Sequence, residues 1–372
     1  MSKAKLEDLS DEVLLHIFCF LQIPDLLRCS QISKRFRSIS HDESLWQKIN
    51  LYKKKVPPTF LQHVIHNGCK YLCLVNASLE DGKISLQKNS QLKYLELTNF
   101  RANPHILQNI FASCHSLEKM SFSSYDVPYD SYHSLNSNML TSICLQNGQS
   151  IKVLDLTWCS ELDFQSIKLI VDNCEELTEL NLEYTNLSEN SICYLFNNLT
   201  TKIIKLSLAG LENVKENVEI LANRCKKLTT LDLRSTMTSN NGFRIIAENL
   251  FSTLEEIDIT DTDITIDSLS NELKKMTKLK VLNVGGHPDS IGDIVNRLKK
   301  EIPHVRINEQ EYIKIAESCQ SFQSEHGFWE IETKQLQMFS KNNGSEIRSY
   351  HGGGLRELQM FQQSLYECFN NL

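Results

Sequence analysis

Six hexamers in the middle of the chain share one pattern, apolar-x-x-apolar-x-apolar. They are Ile151–Leu156, Leu177–Leu182, Ile203–Leu208, Leu228–Leu233, Leu254–Ile259 and Leu279–Val284, and their starts fall 26, 26, 25, 26 and 25 residues apart. In each, the last two apolar residues are two positions apart. A short strand points both to the inner side, and the residue between them faces out. Between hexamers, Ile167, Ile170, Val171 and Cys174 recur at three- and four-residue spacing, as do Val218, Leu221, Ala222 and Cys225, and Phe243, Ile246, Ala247 and Leu250. That spacing predicts a helix in each interval. One such unit cannot bury its own apolar face, but units stacked in parallel share a continuous core.

A fixed period of about 20–29 residues around this strand pattern is the signature of leucine-rich repeats. The expected fold class is therefore α/β: a leucine-rich-repeat solenoid with parallel strands inside and helices outside. Weaker copies extend it. Cys69–Leu74 and Leu92–Leu97 begin 23 residues apart, and the copy at Leu117 lies 34 residues before Ile151. The excess around Tyr125–Tyr129 and Tyr132-His133 reads as a surface insertion. A helix bearing Ile291, Ile294, Val295 and Leu298 leads to a last strand in Ile302–Asn308, so the solenoid spans 69–308.

The stretch before the solenoid is patterned differently. Val13, Leu14, Ile17, Phe18 and Leu21 mark a helix that Asp8 or Ser10 can cap. Pro24 suits the first turn of a second helix, and Ile32, Phe36 and Ile39 mark a third, with Leu45-Trp46 closing the module. Some forty residues make a small core, and apolar surface is left for a partner. Residues 50–68, with Lys53-Lys54-Lys55 and Pro57-Pro58, read as a stiff charged linker; the lysine triplet is alternatively a nuclear address.

Leu9–Phe18, Ile23–Leu27, Ser33–Phe36 and Asp42–Trp46 together resemble an F-box, with Ser10 where proline is common and Phe36 where tryptophan is common. The resemblance implies an F-box domain over 1–49 that binds the Skp adaptor, and through it cullin and RING subunits. It assigns adaptor contact to Leu6, Leu9, Ser10, Leu14, Ile17, Phe18, Leu21, Pro24, Leu27 and Trp46. An F-box followed by Cys-containing repeats is similar to the F-box/leucine-rich-repeat substrate receptors. The likeness is greatest to their S-phase kinase-associated branch, through Asp42–Gln47, Leu177–Leu182, Leu228–Leu233, Pro303–Asn308 and Phe328–Ile331.

That likeness implies the substrate-recognition subunit of a Skp–cullin–F-box ubiquitin ligase, binding phosphorylated cell-cycle regulators in nucleus and cytoplasm. It implies that residues 309–339 fold back on the concave face. It also implies a small cyclin-kinase-subunit accessory protein at Tyr184, Ser235 and Asp261, with Arg234 adjacent and Trp329 from the tail. Of the aromatic, acidic and basic residues found there in the branch, only the aromatic is kept. The branch's long N-terminal extension has no counterpart before this F-box. A receptor for an unrelated substrate, and a leucine-rich-repeat scaffold or inhibitor without a ligase role, remain the alternative readings.

Composition narrows the classes further. A net charge of −7 argues against a nucleic-acid surface, and the sequence has neither an uninterrupted bilayer-length apolar run nor an apolar N-terminal signal core. An intracellular chain without membrane or nucleic-acid partners is expected. Of the 12 cysteines, Cys114, Cys174 and Cys225 each sit three residues before a hexamer, as buried packing residues would. His63, His66, Cys69 and Cys73 have metal-like spacing, but Cys69 opens a repeat, so no metal or other cofactor is expected. His351-Gly-Gly-Gly354 is similar to an esterase oxyanion loop, yet no Gly-x-Ser-x-Gly turn accompanies it, and 340–372 reads as a flexible extension. A non-catalytic receptor is expected.

The residues between strand apolars, Glu96, Ser121, Asp155, Asn181, Ser207, Asp232, Asp258 and Asn283, are expected to face solvent. With Lys119, Glu179, Glu183, Lys205, Arg234, Glu256 and Asp261 they predict a mostly acidic late face, which suits a basic partner.

Overall fold

The computed structural model describes residues 6–21, 23–86, 90–123, 135–285, 291–309, 313, 315–316 and 329–330. The insertion around Tyr125–Tyr132, the extension 340–372 and most of the segment 309–339 lie outside them.

Three helices open the chain: α1 (Asp11–Phe18), α2 (Ile23–Ile32) and α3 (Lys34–Ser40). The serines before α1 and α3 begin them, because each hydroxyl accepts an orphan helix N–H: Val13 N on Ser10 Oγ (3.5 Å) and Phe36 N on Ser33 Oγ (3.1 Å). Arg35 ties α3 back to the start of the module, donating to Asp11 (2.7 Å) and to the carbonyl of Glu7 (2.7 Å).

The strands follow as β1 (Lys48–Asn50), β2 (Lys55–Val56), β3 (Tyr71–Cys73), β4 (Ser78–Leu79), β5 (Tyr94–Glu96), β6 (Lys119–Ser121), β7 (Val153–Asp155), β8 (Glu179–Asn181), β9 (Lys205–Ser207), β10 (Thr230–Asp232), β11 (Glu256–Asp258), β12 (Val281–Asn283), β13 (Arg306–Ile307) and β14 (Trp329–Glu330). Twelve of them form one parallel sheet in the order β13-β12-β11-β10-β9-β8-β7-β6-β5-β3-β1-β14, and β2 pairs with β4. Crossovers carry helices α4 (Pro58–His66), α5 (Pro104–Ser113), α6 (Ser137–Asn147), α7 (Phe164–Asn173), α8 (Glu189–Asn198), α9 (Val218–Arg224), α10 (Asn240–Leu250), α11 (Ile266–Leu273) and α12 (Ile291–Glu301). The α/β leucine-rich-repeat solenoid is thus as the periodicity predicts.

Three expectations change. Residues 50–68 are not a linker: β1 opens the main sheet, and α4 buries Pro58, Phe60, Leu61, Val64 and Ile65. Leu14 and Phe18 of α1, Trp46 and the repeat leucines belong to one contiguous core. The small helical module therefore shares the solenoid's interior, which supplies the burial that forty residues cannot.

The residues between strand apolars also do not lie in solvent. All eight from Glu96 to Asn283 are at most 8% exposed. Strands stand only about 4.8 Å apart, so successive outward side chains cover one another. Some of them bond laterally instead, as in Ser121 Oγ to Asp155 Oδ2 (2.8 Å) and Asn283 Nδ2 to Asp258 Oδ2 (2.8 Å).

Cys69, Cys114, Cys174 and Cys225 are buried free thiols. Burial pushes Cys69 up to about 12 and Cys114 and Cys225 up to about 11, so they pack as neutral groups. His63 packs its ring against Trp46 (4.8 Å) and His41 (5.0 Å), and burial with His41 beside it holds His63 down to about 4. Among the described residues no group of three His, Cys, Asp or Glu side chains is placed to hold a metal ion, and no helix is long and apolar enough to cross a membrane.

The two sides of β9 separate by size of effect. Leu206→Ala leaves a cavity in the core and is expected to cost about 2–5 kcal/mol. Ser207→Ala removes two long hydrogen bonds, one donated to Asp232 (3.3 Å) and one accepted from Ala209 N (3.5 Å), and is expected to cost about 1 kcal/mol. Denaturant titration of the two variants checks this; equal costs would contradict the inward and outward assignment.

Candidate functional site

Two surfaces stand out, one on the helical module and one along the concave side of the sheet. On the module, Leu14, Phe18, Pro24 and Trp46 are buried within this chain. Trp46 donates its indole N–H to the carbonyl of Ser40 (2.8 Å). These four residues build the module rather than present a face, and Ser10 acts as a helix cap. Leu6, Leu9, Ile17, Leu21 and Leu27 are half-buried and pack against the core from outside. What remains exposed is Val13 (44%), Phe20 (64%) and Ile32 (40%). Phe20 lies outside the expected stripe of the first helix, whereas Ile32, expected on the third helix with Phe36 and Ile39, instead ends α2 and is exposed.

On the concave side, one turn recurs after several strands of the main sheet. The side chain at the strand's end accepts the backbone N–H two residues on: Tyr52 N on Asn50, Thr157 N on Asp155, Glu183 N on Asn181, Arg234 N on Asp232 and Thr260 N on Asp258, at 2.9–3.2 Å. The third residue past the strand takes a left-handed backbone, at Lys53, Asn76, Asn99, Trp158, Tyr184, Gly210, Ser235 and Asp261. Its N–H then bonds the next repeat, as Tyr184 N does to Ala209 O (2.8 Å). Tyr184, Ser235 and Asp261 therefore stand in one row, together with Trp158, which the sequence reading missed.

Within that row Trp158 and Tyr184 stack, with centroids 4.5 Å apart and planes 25° apart. The next position is Gly210, and a Cβ there would lie 2.2 Å from the Tyr184 ring. Glycine makes room for the ring and accepts φ +73°. Trp158 is 43% exposed, so the stack is a ledge open on one side.

Beside the ledge sits Arg234. Its guanidinium donates to Asp232 (2.9 and 3.1 Å) and to Glu183 (2.9 Å), and lies 3.8 Å from Asp258. One cation serves three carboxylates. Burial pushes Glu183 up to about 7, more than Arg234 pulls it down, since that guanidinium is already shared. Burial also raises Asp258, and Arg234 stays charged.

The described part of the tail touches the face at two places. Ile313, Ile315 and Ala316 pack on Val153 of β7, and Ala316 N donates to Glu179 of β8 (3.0 Å). Trp329 pairs in register with Ile49 of β1, at the far edge of the sheet. Trp329 is thus not beside Tyr184 and Arg234, because β7, β6, β5, β3 and β1 lie between.

Residues 59–336 match the family described as the SKP2 LRR domain, and residues 6–52 match the F-box-like family. Among characterised proteins, the chain is similar to F-box/LRR-repeat protein 21 of Bos taurus, 24% identical over 51% of this chain and 48% of that protein. It is similar to F-box/LRR-repeat protein 12 of Mus musculus, 29% identical over 43% of this chain and 48% of that protein. It is also similar to ubiquitin ligase complex F-box protein UFO1 of Saccharomyces cerevisiae, 43% identical over 15% of this chain and 9% of that protein. The matched region spans about half the length of the F-box/LRR-repeat relatives and less of the yeast protein.

Glu183 gives the concave cluster a pH signature. Its folded carboxyl holds a proton up to about 7 against an ordinary 4.5, so folding takes up a proton between those values. Stability from this group is full below about 4.5 and is lost as pH rises through about 7. Glu183→Gln removes that loss, so the variant should gain on the parent by up to about 3 kcal/mol across the window. Urea denaturation at stepped pH checks it; parallel pH–stability curves would contradict the assignment.

Proposed function

The chain belongs to the family of F-box proteins with SKP2-type leucine-rich repeats, and from that premise we propose that it is the substrate-recognition subunit of a Skp–cullin–F-box ubiquitin ligase. The observation that carries the proposal is an F-box module sharing one core with the solenoid while keeping Val13, Phe20 and Ile32 exposed. Apolar groups left in water on so small a module are docking surface. The Skp adaptor binds there and brings the cullin and RING subunits. The solenoid holds a substrate, and its contribution to ubiquitin transfer is proximity.

The substrates are phosphorylated cell-cycle regulators met in nucleus and cytoplasm. The Trp158–Tyr184 ledge is the seat of a small cyclin-kinase-subunit accessory protein, with Ser235 and Asp261 in the same row and Arg234 beside it. Stacked, half-open aromatics are the kind of anchor that protein interfaces use.

The test is co-purification of the full chain with the adaptor and whatever else is retained. Val13→Ser with Phe20→Ser is expected to weaken adaptor binding about tenfold or more at unchanged thermal stability. Leu14→Ala with Phe18→Ala is expected to lose the adaptor only by destabilising the core that the module shares with the first repeats, at about 2–5 kcal/mol per truncation. Tyr184→Ala should release the accessory protein and keep the adaptor. Undiminished adaptor capture by the Val13/Phe20 variant would overturn the F-box reading, and capture of the accessory protein by Tyr184→Ala would overturn the ledge.

A further inference from the structure

At the end of the solenoid farthest from the helical module, two successive helix-to-strand turns carry an excess of cations. They are Lys274–Lys280, between α11 and β12, and Lys299–Arg306, between α12 and β13. The turns are neighbours: Lys274 Nζ lies 3.2 Å from Glu301, and Arg306 N donates to the carbonyl of Lys280 (2.8 Å). Three of their lysines are paired, Lys274 with Glu301, Lys275 with Glu272 (2.8 Å) and Lys280 with Glu255 (2.6 Å). Lys278, Lys299, Lys300 and Arg306 are exposed, and among the described residues none of the four meets a carboxylate. Lysines in the last turn of a helix suit its dipole, which accounts for Lys299 and Lys300 but not for Lys278 or Arg306. In the preceding turn Phe251 is 46% exposed. It caps the C-terminus of α10 as Lys274 caps that of α11, so ring and lysine hold corresponding places in adjacent repeats. The chain as a whole carries −7, so this edge runs against its overall charge.

We propose that Phe251, Lys278, Lys299, Lys300 and Arg306 form a docking surface for an acidic segment of a partner protein, one that carries an apolar residue among its Asp and Glu side chains. Charge complementarity selects the acid, since four cations stand there without a counter-charge. The half-exposed ring selects the apolar residue, because an aromatic left in water gains most from a side chain that covers it. Packed helices stand about 8–10 Å apart, so the three turns span about 16–20 Å, the reach of about five or six extended residues. One phosphate cannot neutralise charges spread over two turns, and only Arg306 offers the forked guanidinium that clasps phosphate best. Nucleic acid fits less well. Its charge continues at about one per 1.7 Å, and farther along the same edge the turn between α7 and β8 presents Glu175 and Glu176.

The surface lies apart from both the helical module and the aromatic ledge, so the inference goes beyond the receptor reading and does not rest on it. Its test uses the full chain without adaptor or accessory protein. The chain is titrated into fluorescein-labelled decapeptides, with anisotropy as the readout. The peptides are Glu-rich with one leucine, Glu-rich without it, Lys-rich, and neutral with one phosphoserine, and oligo-dT is titrated alongside. The Glu-rich peptide with leucine is expected to bind tightest, with affinity falling as salt rises. Lys278→Glu with Lys299→Glu should weaken it about tenfold or more. Phe251→Ser should weaken it about threefold or more and erase the preference for the leucine-bearing peptide. Lys55→Glu with Lys83→Glu, exposed at the other end of the solenoid, matches the change in net charge and should leave binding unchanged. All five substituted positions are exposed, so the variants are expected to fold, and equal thermal midpoints check it. Binding weaker than about 1 mM, indifference to the lysine pair or to Phe251→Ser, an equal loss in the control pair, or preference for the phosphopeptide or oligo-dT would each overturn the assignment.

Discussion

The fold rests on a turn that must be made after every strand in the space of a few residues. A left-handed backbone on a non-glycine residue costs about 1–2 kcal/mol, and Lys53, Asn76, Asn99, Trp158, Tyr184, Ser235 and Asp261 all carry it. Two hydrogen bonds offset that cost in most repeats. One is the strand-end side chain on the N–H two residues along, and the other is the left-handed residue's own N–H on the next repeat. The first uses the Asn, Asp or Ser that ends most of these strands, and is not made after β3 and β5, which end in Cys73 and Glu96. The second fixes each repeat against its neighbour. Together they set the register on which the concave rows depend, so the site residues are aligned by the same bonds that stack the solenoid.

Much of this was legible in the sequence, because leucine spacing reports directly on which side chains point inward. The six hexamers placed β7 to β12, the weaker copies placed β3, β5 and β6, and the cap at Asp8 or Ser10 placed α1. What the sequence concealed is lateral. Asp155 and Asp258 look solvated along the chain, and only stacking at strand distance buries them. Residues 50–68 read as a linker because Lys53–Lys55 and Pro57-Pro58 dominate the local composition. The core instead takes Leu51, Val56, Phe60, Leu61, Val64 and Ile65 from that stretch. Lys48, Tyr71 and Tyr94 are scattered over 47 residues and become neighbours only through parallel register. Trp329, which resemblance put near Tyr184, pairs at the opposite edge of the sheet.

Electrostatics divides the concave face where the hydrophobic pattern does not. The early strands present Lys48 over the stacked rings of Tyr71 and Tyr94, and the late strands gather carboxylates around Arg234. Buried carboxylates sharing one guanidinium are held at a cost in desolvation, and Glu183 shows it by keeping its proton up to about 7. Coupling the sheet to the helical module through a shared core makes the distance between the two surfaces a property of the fold.

That shared core is the central claim, since a receptor with a hinged F-box would position its substrate differently. Native-state hydrogen exchange on the full chain tests it most directly. Amides of α1 and α3 should open with the same free energy as those of β3 and β5, because Leu14, Phe18, Trp46, Leu72 and Leu95 belong to one cluster. Exchange of the F-box amides through a separate, lower-energy opening, with the first repeats still protected, would contradict it.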